Sequence, residues 1–212
     1  QVFVINQAVA ASVAGGTTLT FYKNSGDYNI AIGSYALDAT TTGNQNIAIG
    51  HNAGTAITDN TNNIAIGYRA LFSANTGELS NIAIGTDALY AETSGADGCV
   101  AIGHNALAAQ NTDLSNNVAI GYQAATNLNG GTDSVYVGYK AGSVGAIEGD
   151  FNTVVGTNAA LNATDMSTSV FIGYNAGGTG VVQGANNICI GTLAGNDLTT
   201  GASNILIGRD AG

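Results

Sequence analysis

The segment Asn46-Ile-Ala-Ile-Gly50, with Ala53 three residues beyond it, decides the fold because variants of it recur along most of the 212-residue chain. Eleven copies end in a glycine, and successive glycines lie 17 or 18 residues apart: Gly33, Gly50, Gly67, Gly85, Gly103, Gly121, Gly138, Gly156, Gly173, Gly191 and Gly208. An alanine follows each of these corner glycines by three residues, from Ala36 to Ala211. A repeat this strict predicts a solenoid in which each copy forms one coil.

Composition agrees with a thin solenoid. Apolar residues make up 45% of the chain, but there are 31 Gly, only five Phe and no Trp, so a bulky globular core is not expected. Proline is absent, as expected where a ladder uses nearly every backbone N–H. We predict an N-terminal cap with a degenerate coil over residues 1–28 and an eleven-coil body over residues 29–212.

Each copy contains a short strand with two apolar faces. The residues directly before and three before the corner glycine are β-branched in every copy, and strand alternation places them on one face. We predict that these flanking residues fill the interior. The central residue between them would then point outward, and because it is always apolar, we expect it to meet another chain: Ala31, Ala48, Ala65, Ala83, Ala101, Ala119, Tyr136, Val154, Phe171, Cys189 and Leu206.

An asparagine stands four residues before the glycine in eight of the copies, from Asn29 to Asn204. Stacked side-chain amides can hydrogen-bond along the axis, so this row predicts a structural ladder. The remaining residues of each coil are mostly Thr, Asn, Gly, Ser and Asp, which is typical of exposed turns.

The segments Ala36-Leu-Asp-Ala-Thr-Thr-Thr-Gly-Asn-Gln-Asn-Ile-Ala-Ile-Gly50 and Leu79-Ser-Asn-Ile-Ala-Ile-Gly-Thr-Asp-Ala-Leu89 resemble repeats of bacteriophage tail fibres and of trimeric autotransporter adhesin heads. The longer Thr-Thr-Gly turns and the Ala-Leu pairs are more similar to the phage fibres. The resemblance covers roughly residues 29–212. It implies a left-handed parallel β-roll of three identical chains, located in a virion tail fibre or at a cell surface.

The expected function is therefore structural and adhesive: a fibre shaft or head that attaches to a host-surface receptor or glycan. A bacterial surface adhesin head is the first alternative. The last coil carries no atypical terminal repeat, which motivates a second alternative, a subunit of an end-to-end filament. A hexapeptide-type acyltransferase fits least well, because an aliphatic residue at every sixth position is not maintained from Ile49 or Ile66.

Charge limits the expected partners. Four basic residues oppose fourteen carboxylates, so nucleic acid is not expected to bind. No stretch approaches the ~18 apolar residues of a membrane span, so membrane insertion is not expected. Cys99 and Cys189 lie five coils apart, roughly 24 Å, and are predicted to be free thiols.

No catalytic constellation, cofactor site or metal site is predicted. His51 and His104 share one repeat position but lie three coils apart, too far to ligate one metal. Tyrosines recur at that position, where packing on neighbouring coils is favoured over sugar stacking: Tyr68, Tyr122, Tyr139 and Tyr174. Asp133, Glu148 and Asp150 could supply Ca²⁺ ligands, but solvated turns are the expected interpretation.

Overall fold

The computed structural model describes residues 11–13, 17–19, 26–74, 79–91, 96–109, 115–178 and 180–212. This part of the chain contains thirteen three-residue strands and no helix. In chain order they are β1 (Ala11–Val13), β2 (Thr17–Leu19), β3 (Ile30–Ile32), β4 (Ile47–Ile49), β5 (Ile64–Ile66), β6 (Ile82–Ile84), β7 (Val100–Ile102), β8 (Val118–Ile120), β9 (Val135–Val137), β10 (Thr153–Val155), β11 (Val170–Ile172), β12 (Ile188–Ile190) and β13 (Ile205–Ile207).

Strands β3 to β13 form one parallel sheet in sequence order. Each strand pairs in register with the next, so that Ala48 lies between Ala31 and Ala65. One strand per repeat and one repeat per layer make the protein a parallel β-solenoid, as the sequence period predicts. Backbone hydrogen bonds also link adjacent layers outside the strands, for example from Leu71 N–H to the Ala88 carbonyl at 2.9 Å.

The corner glycines are required by the stacking of the layers. Their φ angles lie between 124° and 140°, a region that side chains other than glycine rarely adopt. A Cβ atom on Gly85 would also lie 2.6 Å from the carbonyl oxygen of Gly103 in the next layer. Glycine is therefore needed here both for its backbone angle and for the close approach of the neighbouring coil.

The asparagine row forms the predicted ladder. Asn46 donates from Nδ2 to Asn29 Oδ1 at 3.2 Å, and its Oδ1 accepts the backbone N–H of Asn63 at 3.0 Å. The Asn46 Nδ2 group also donates to the Asn60 carbonyl at 2.8 Å. Where serine replaces asparagine, as at Ser134, its Oγ accepts the next backbone N–H instead. The ladder thus links the starts of most strands of the sheet to the adjoining layers.

The predicted cap, residues 1–28, lies largely outside the described residues. Its two described strands, β1 and β2, pair antiparallel with each other, with Ala11 opposite Leu19. They do not belong to the eleven-stranded sheet.

Candidate interaction surface

The flanking residues of β3 to β13 lie on the outside of the solenoid. Each strand contributes two, and all are exposed or half-buried in the single chain. Ile120 and Ile172 remain 38% and 37% exposed even though layers cover them on both sides. Of the twenty-two side chains, all are Ile or Val except Thr153. They form one apolar band along the whole sheet, which we call the outer strip.

The central residues, in contrast, lie in the interior of the single chain. Nine are buried within the core, and those at the two ends of the sheet, Ala31 and Leu206, are half-buried and pack against it. The prediction that these residues face the trimer axis is therefore wrong for all eleven: Ala31, Ala48, Ala65, Ala83, Ala101, Ala119, Tyr136, Val154, Phe171, Cys189 and Leu206. The prediction that the flanking residues fill the interior is wrong for the same reason.

The error has a simple physical cause. Alternation along a strand determines which side chains share a face, but it does not say which of two apolar faces is inside. A coil of 17 or 18 residues encloses a narrow space. This space accommodates one side chain per strand, most often alanine, together with residues of the following turn such as Ala88 and Leu89. It is too narrow for two β-branched side chains per strand. The apolar face left without cover is therefore the β-branched one.

The interior volume is shared between the central residue and the residue six positions later. Where the central residue is alanine, as at Ala65, a buried leucine such as Leu71 commonly stands six residues on. Where it is larger, the later position is glycine or alanine, as with Phe171 and Gly177. A Cβ atom on Gly177 would meet the Phe171 ring. Sequence reasoning missed this exchange, although the anticorrelation is visible in the repeats.

An aromatic row borders the outer strip just beyond the corner glycines. The rings of His104, Tyr122 and Tyr139 stack with centroid distances of 5.2 and 5.3 Å and interplanar angles of 13° and 10°. His51 lies between Tyr35 and Tyr68 at 5.8 and 5.6 Å. The packing on neighbouring coils that was predicted for the tyrosines is confirmed for Tyr68, Tyr122 and Tyr139. The stacked faces of His104, Tyr122 and Tyr139 lie against one another, which leaves less of each face available for stacking on a sugar.

Arg69 is the centre of a second surface cluster. Its guanidinium donates two hydrogen bonds to the Asp87 carboxylate, at 2.8 and 2.9 Å. It also lies over the rings of Tyr68 and Tyr90, at 4.8 and 4.7 Å from their centroids. The hydrogen bond to Asp87 raises the pKa of Arg69. These contacts join two successive layers, so the cluster links neighbouring coils and does not leave the cation free for a ligand.

The acidic residues considered for Ca²⁺ make contacts within the turns. Asp150 Oδ1 accepts the backbone N–H of Thr132 at 2.7 Å, and Asp133 Oδ1 accepts from Asn116 at 3.0 Å. Glu148 accepts from Asn129 at 3.3 Å. Within the described ranges, no three His, Cys, Asp or Glu side chains come together in an arrangement that could hold a metal ion.

The two cysteines are buried and free, as predicted from their separation. Cys189 is a central residue of the interior, and burial raises the pKa of its thiol to about 11. Cys99 replaces asparagine in the ladder, and its backbone N–H donates to Asn81 Oδ1 at 2.8 Å. Both therefore serve as small core side chains.

No family model, curated protein or solved structure matches this chain. In the described part of the chain, no helix is long and apolar enough to cross a membrane. The outer strip is a long apolar surface that the single chain leaves exposed or half-buried.

Proposed function

We propose that this chain is the shaft or head segment of a homotrimeric fibre of the phage tail-fibre type, in which three outer strips meet along a common axis. In this proposal the coil is left-handed, and the fibre provides reach and attachment to a cell-surface receptor or glycan. The observation that carries the proposal is the outer strip itself: a long surface, apolar except for Thr153, on the outside of a chain that has its own buried core.

The size of the outer strip supports an interface. Eleven strands at about 4.8 Å give a length of roughly 50 Å, and three-residue strands give a width of about 10 Å. The flat area of roughly 500 Å² is at the upper end of the apolar patches that monomeric proteins expose. The residues that border it would bring the buried area toward the ~800 Å² per partner of a stable interface.

The chemistry of the strip favours a second copy of the same chain as its occupant. It contains no charged side chain, and its flanking residues repeat at the spacing of the layers, so an identical parallel strip has the same period. The charge of −10 is carried by other surfaces, where it would oppose lateral association. The resemblance of the repeats to fibre and adhesin families is what favours three chains over two.

The assembly is tested by native mass measurement of the purified chain together with a matched pair of variants. Three chains are expected for the unaltered protein; a stable monomer or dimer at micromolar concentration would contradict the proposal. Ile84→Asp combined with Ile102→Asp places charges on the strip and should give monomers that keep their β-sheet circular dichroism. Ala83→Asp places the charge in the neighbouring interior position and should unfold the coil itself.

Attachment is tested separately on the isolated trimer. Binding to whole host cells or to a glycan array should be retained by the trimer and lost when the exposed turns are exchanged for those of another repeat. Binding that survives replacement of every exposed turn would remove the adhesive part of the proposal and leave the structural part intact.

A further inference from the structure

Two adjacent layers of the outer strip have smaller side chains than the other layers, and we call this part of the strip the depression. Most layers present two isoleucines or one isoleucine and one valine, but β9 presents Val135 and Val137, and β10 presents Thr153 and Val155. These two adjacent layers are therefore the least bulky part of the strip. Ile120 and Ile172, which are the most exposed strip residues away from its two ends, border the depression on either side.

Phe151 stands two residues before Thr153, the first residue of β10, and its conformation is unusual for a large side chain. It occupies the repeat position two residues before the strand, where all eleven copies have a φ angle in the left-handed region. Such a position suits Gly, Asn or Asp and is unfavourable for a bulky side chain. The other copies from Gln45 to Ser203 are polar or glycine, whereas Phe151 is large, apolar and 61% exposed, with a φ of 59°.

Two departures from the repeat thus coincide in one layer: the smallest pair of strip residues and an exposed phenylalanine. We propose that in the assembly Phe151 of each chain inserts into the depression formed by Val135, Val137, Thr153 and Val155 of the adjacent copy. This inference rests on the proposed trimer. Its consequence is that Phe151 fixes the axial register of the chains, because a uniform strip could otherwise slide by one layer.

A photo-crosslinking experiment tests the contact directly. Phe151 is replaced by p-benzoylphenylalanine, the variant is co-assembled with isotope-labelled unaltered chain, and the mixture is illuminated. Peptide mapping should place the new bond between the two chains and within residues 135–155 of the acceptor. Links to the same chain, or to residues outside the strip, in a protein that is still trimeric would overturn the inference while leaving the trimer in place. A monomeric protein would overturn both.

A compensation experiment tests the energetic role. Phe151→Ser, which introduces the residue found at the equivalent Ser80 and Ser203, should raise the dissociation constant of the assembly at least about tenfold. Adding Thr153→Ile and Val155→Ile to this variant fills the depression and should restore the affinity. The same two isoleucines in the presence of Phe151 should weaken assembly, because the ring then has no space.

Tyr28→Ser is the matched control. Tyr28 is the other aromatic residue at this repeat position and is more exposed, at 84%, but it stands beside the full-sized Ile30 and Ile32. Its replacement should leave the dissociation constant within about twofold. Equal losses for Tyr28→Ser and Phe151→Ser would contradict an insertion at the depression, and so would an unchanged dissociation constant for Phe151→Ser.

Discussion

Tyr136 and Gly142 divide one interior volume between them. A Cβ atom on Gly142 would lie 2.7 Å from both Cδ1 and Cε1 of the Tyr136 ring, which is closer than carbon atoms pack. The ring is fully buried, and it occupies the space that a leucine side chain fills in four of the six coils whose central residue is alanine. The identity of one residue of this pair therefore restricts the other.

Exchanging both residues together should be tolerated where single changes are not. Tyr136→Ala should cost about 3–5 kcal/mol of unfolding free energy by leaving a cavity, and Gly142→Leu should destabilise by overpacking. The double variant recreates the pairing of Ala65 with Leu71, and leucine already adopts the required backbone angle at Leu71, with a φ of 51°. Denaturant unfolding should give a favourable interaction energy of about 2–3 kcal/mol. If the free-energy losses of the two single variants simply add in the double variant, the two residues do not share one interior volume.

Two corner glycines allow the effect of the close contact between layers on stability to be separated from the effect of the backbone angle. Gly103→Ala and Gly208→Ala both place a side chain at a positive φ, 135° and 124°. Only at Gly103 does the added Cβ meet a carbonyl of the following layer, whereas at Gly208 nothing lies within 4 Å. The melting temperature should fall clearly further for Gly103→Ala than for Gly208→Ala. Equal decreases would mean that the close contact between layers does not contribute to the requirement for glycine.

The asparagine ladder depends on an oxygen acceptor, so serine and valine should differ at Asn46. Asn46→Val leaves the backbone N–H of Asn63 without its Oδ1 acceptor and should cost about 1–3 kcal/mol. Asn46→Ser should cost less, because Ser134 and Ser169 already perform this role for Asn152 and Asn187. Unfolding free energies measured for both variants check the order, and an equal or reversed order would contradict the hydrogen-bonding role.

The Cys189 thiol should make stability decrease at alkaline pH. Its pKa is about 11 in the folded chain against an ordinary value near 9.0, so folding favours the neutral thiol. The contribution is complete below about pH 9 and is lost as the pH rises toward 11. Cys189→Val, which introduces the residue found at Val154, should flatten this decline in unfolding free energy. Alkylation of the native thiol at pH 8 should likewise be negligible until the chain is unfolded.

Much of the architecture follows from the sequence alone. The 17- and 18-residue spacing of the corner glycines predicts the coils, and the β-branched pairs predict the strands, because backbone stacking requires the same residue type at each level. The ladder from Asn29 to Asn204 could be predicted for the same reason. The repeats also show that a large residue such as Tyr136 is accompanied by a small one such as Gly142 six positions later. Only the structure shows the reason, which is that both positions face the same interior volume.

What only the tertiary structure decided is which face of each strand is inside. Ala101 and Ile102 are neighbours on one strand and point to opposite faces, both of which are apolar. The hydrophobic pattern of the sequence therefore does not distinguish the inner face from the outer face. Closing the coil distinguishes them, because the space within one turn accepts Ala101 and Leu107 and leaves Ile102 outside. Local sequence thus determined the repeat unit, whereas the width of the closed coil determined which apolar residues remain exposed on the single chain.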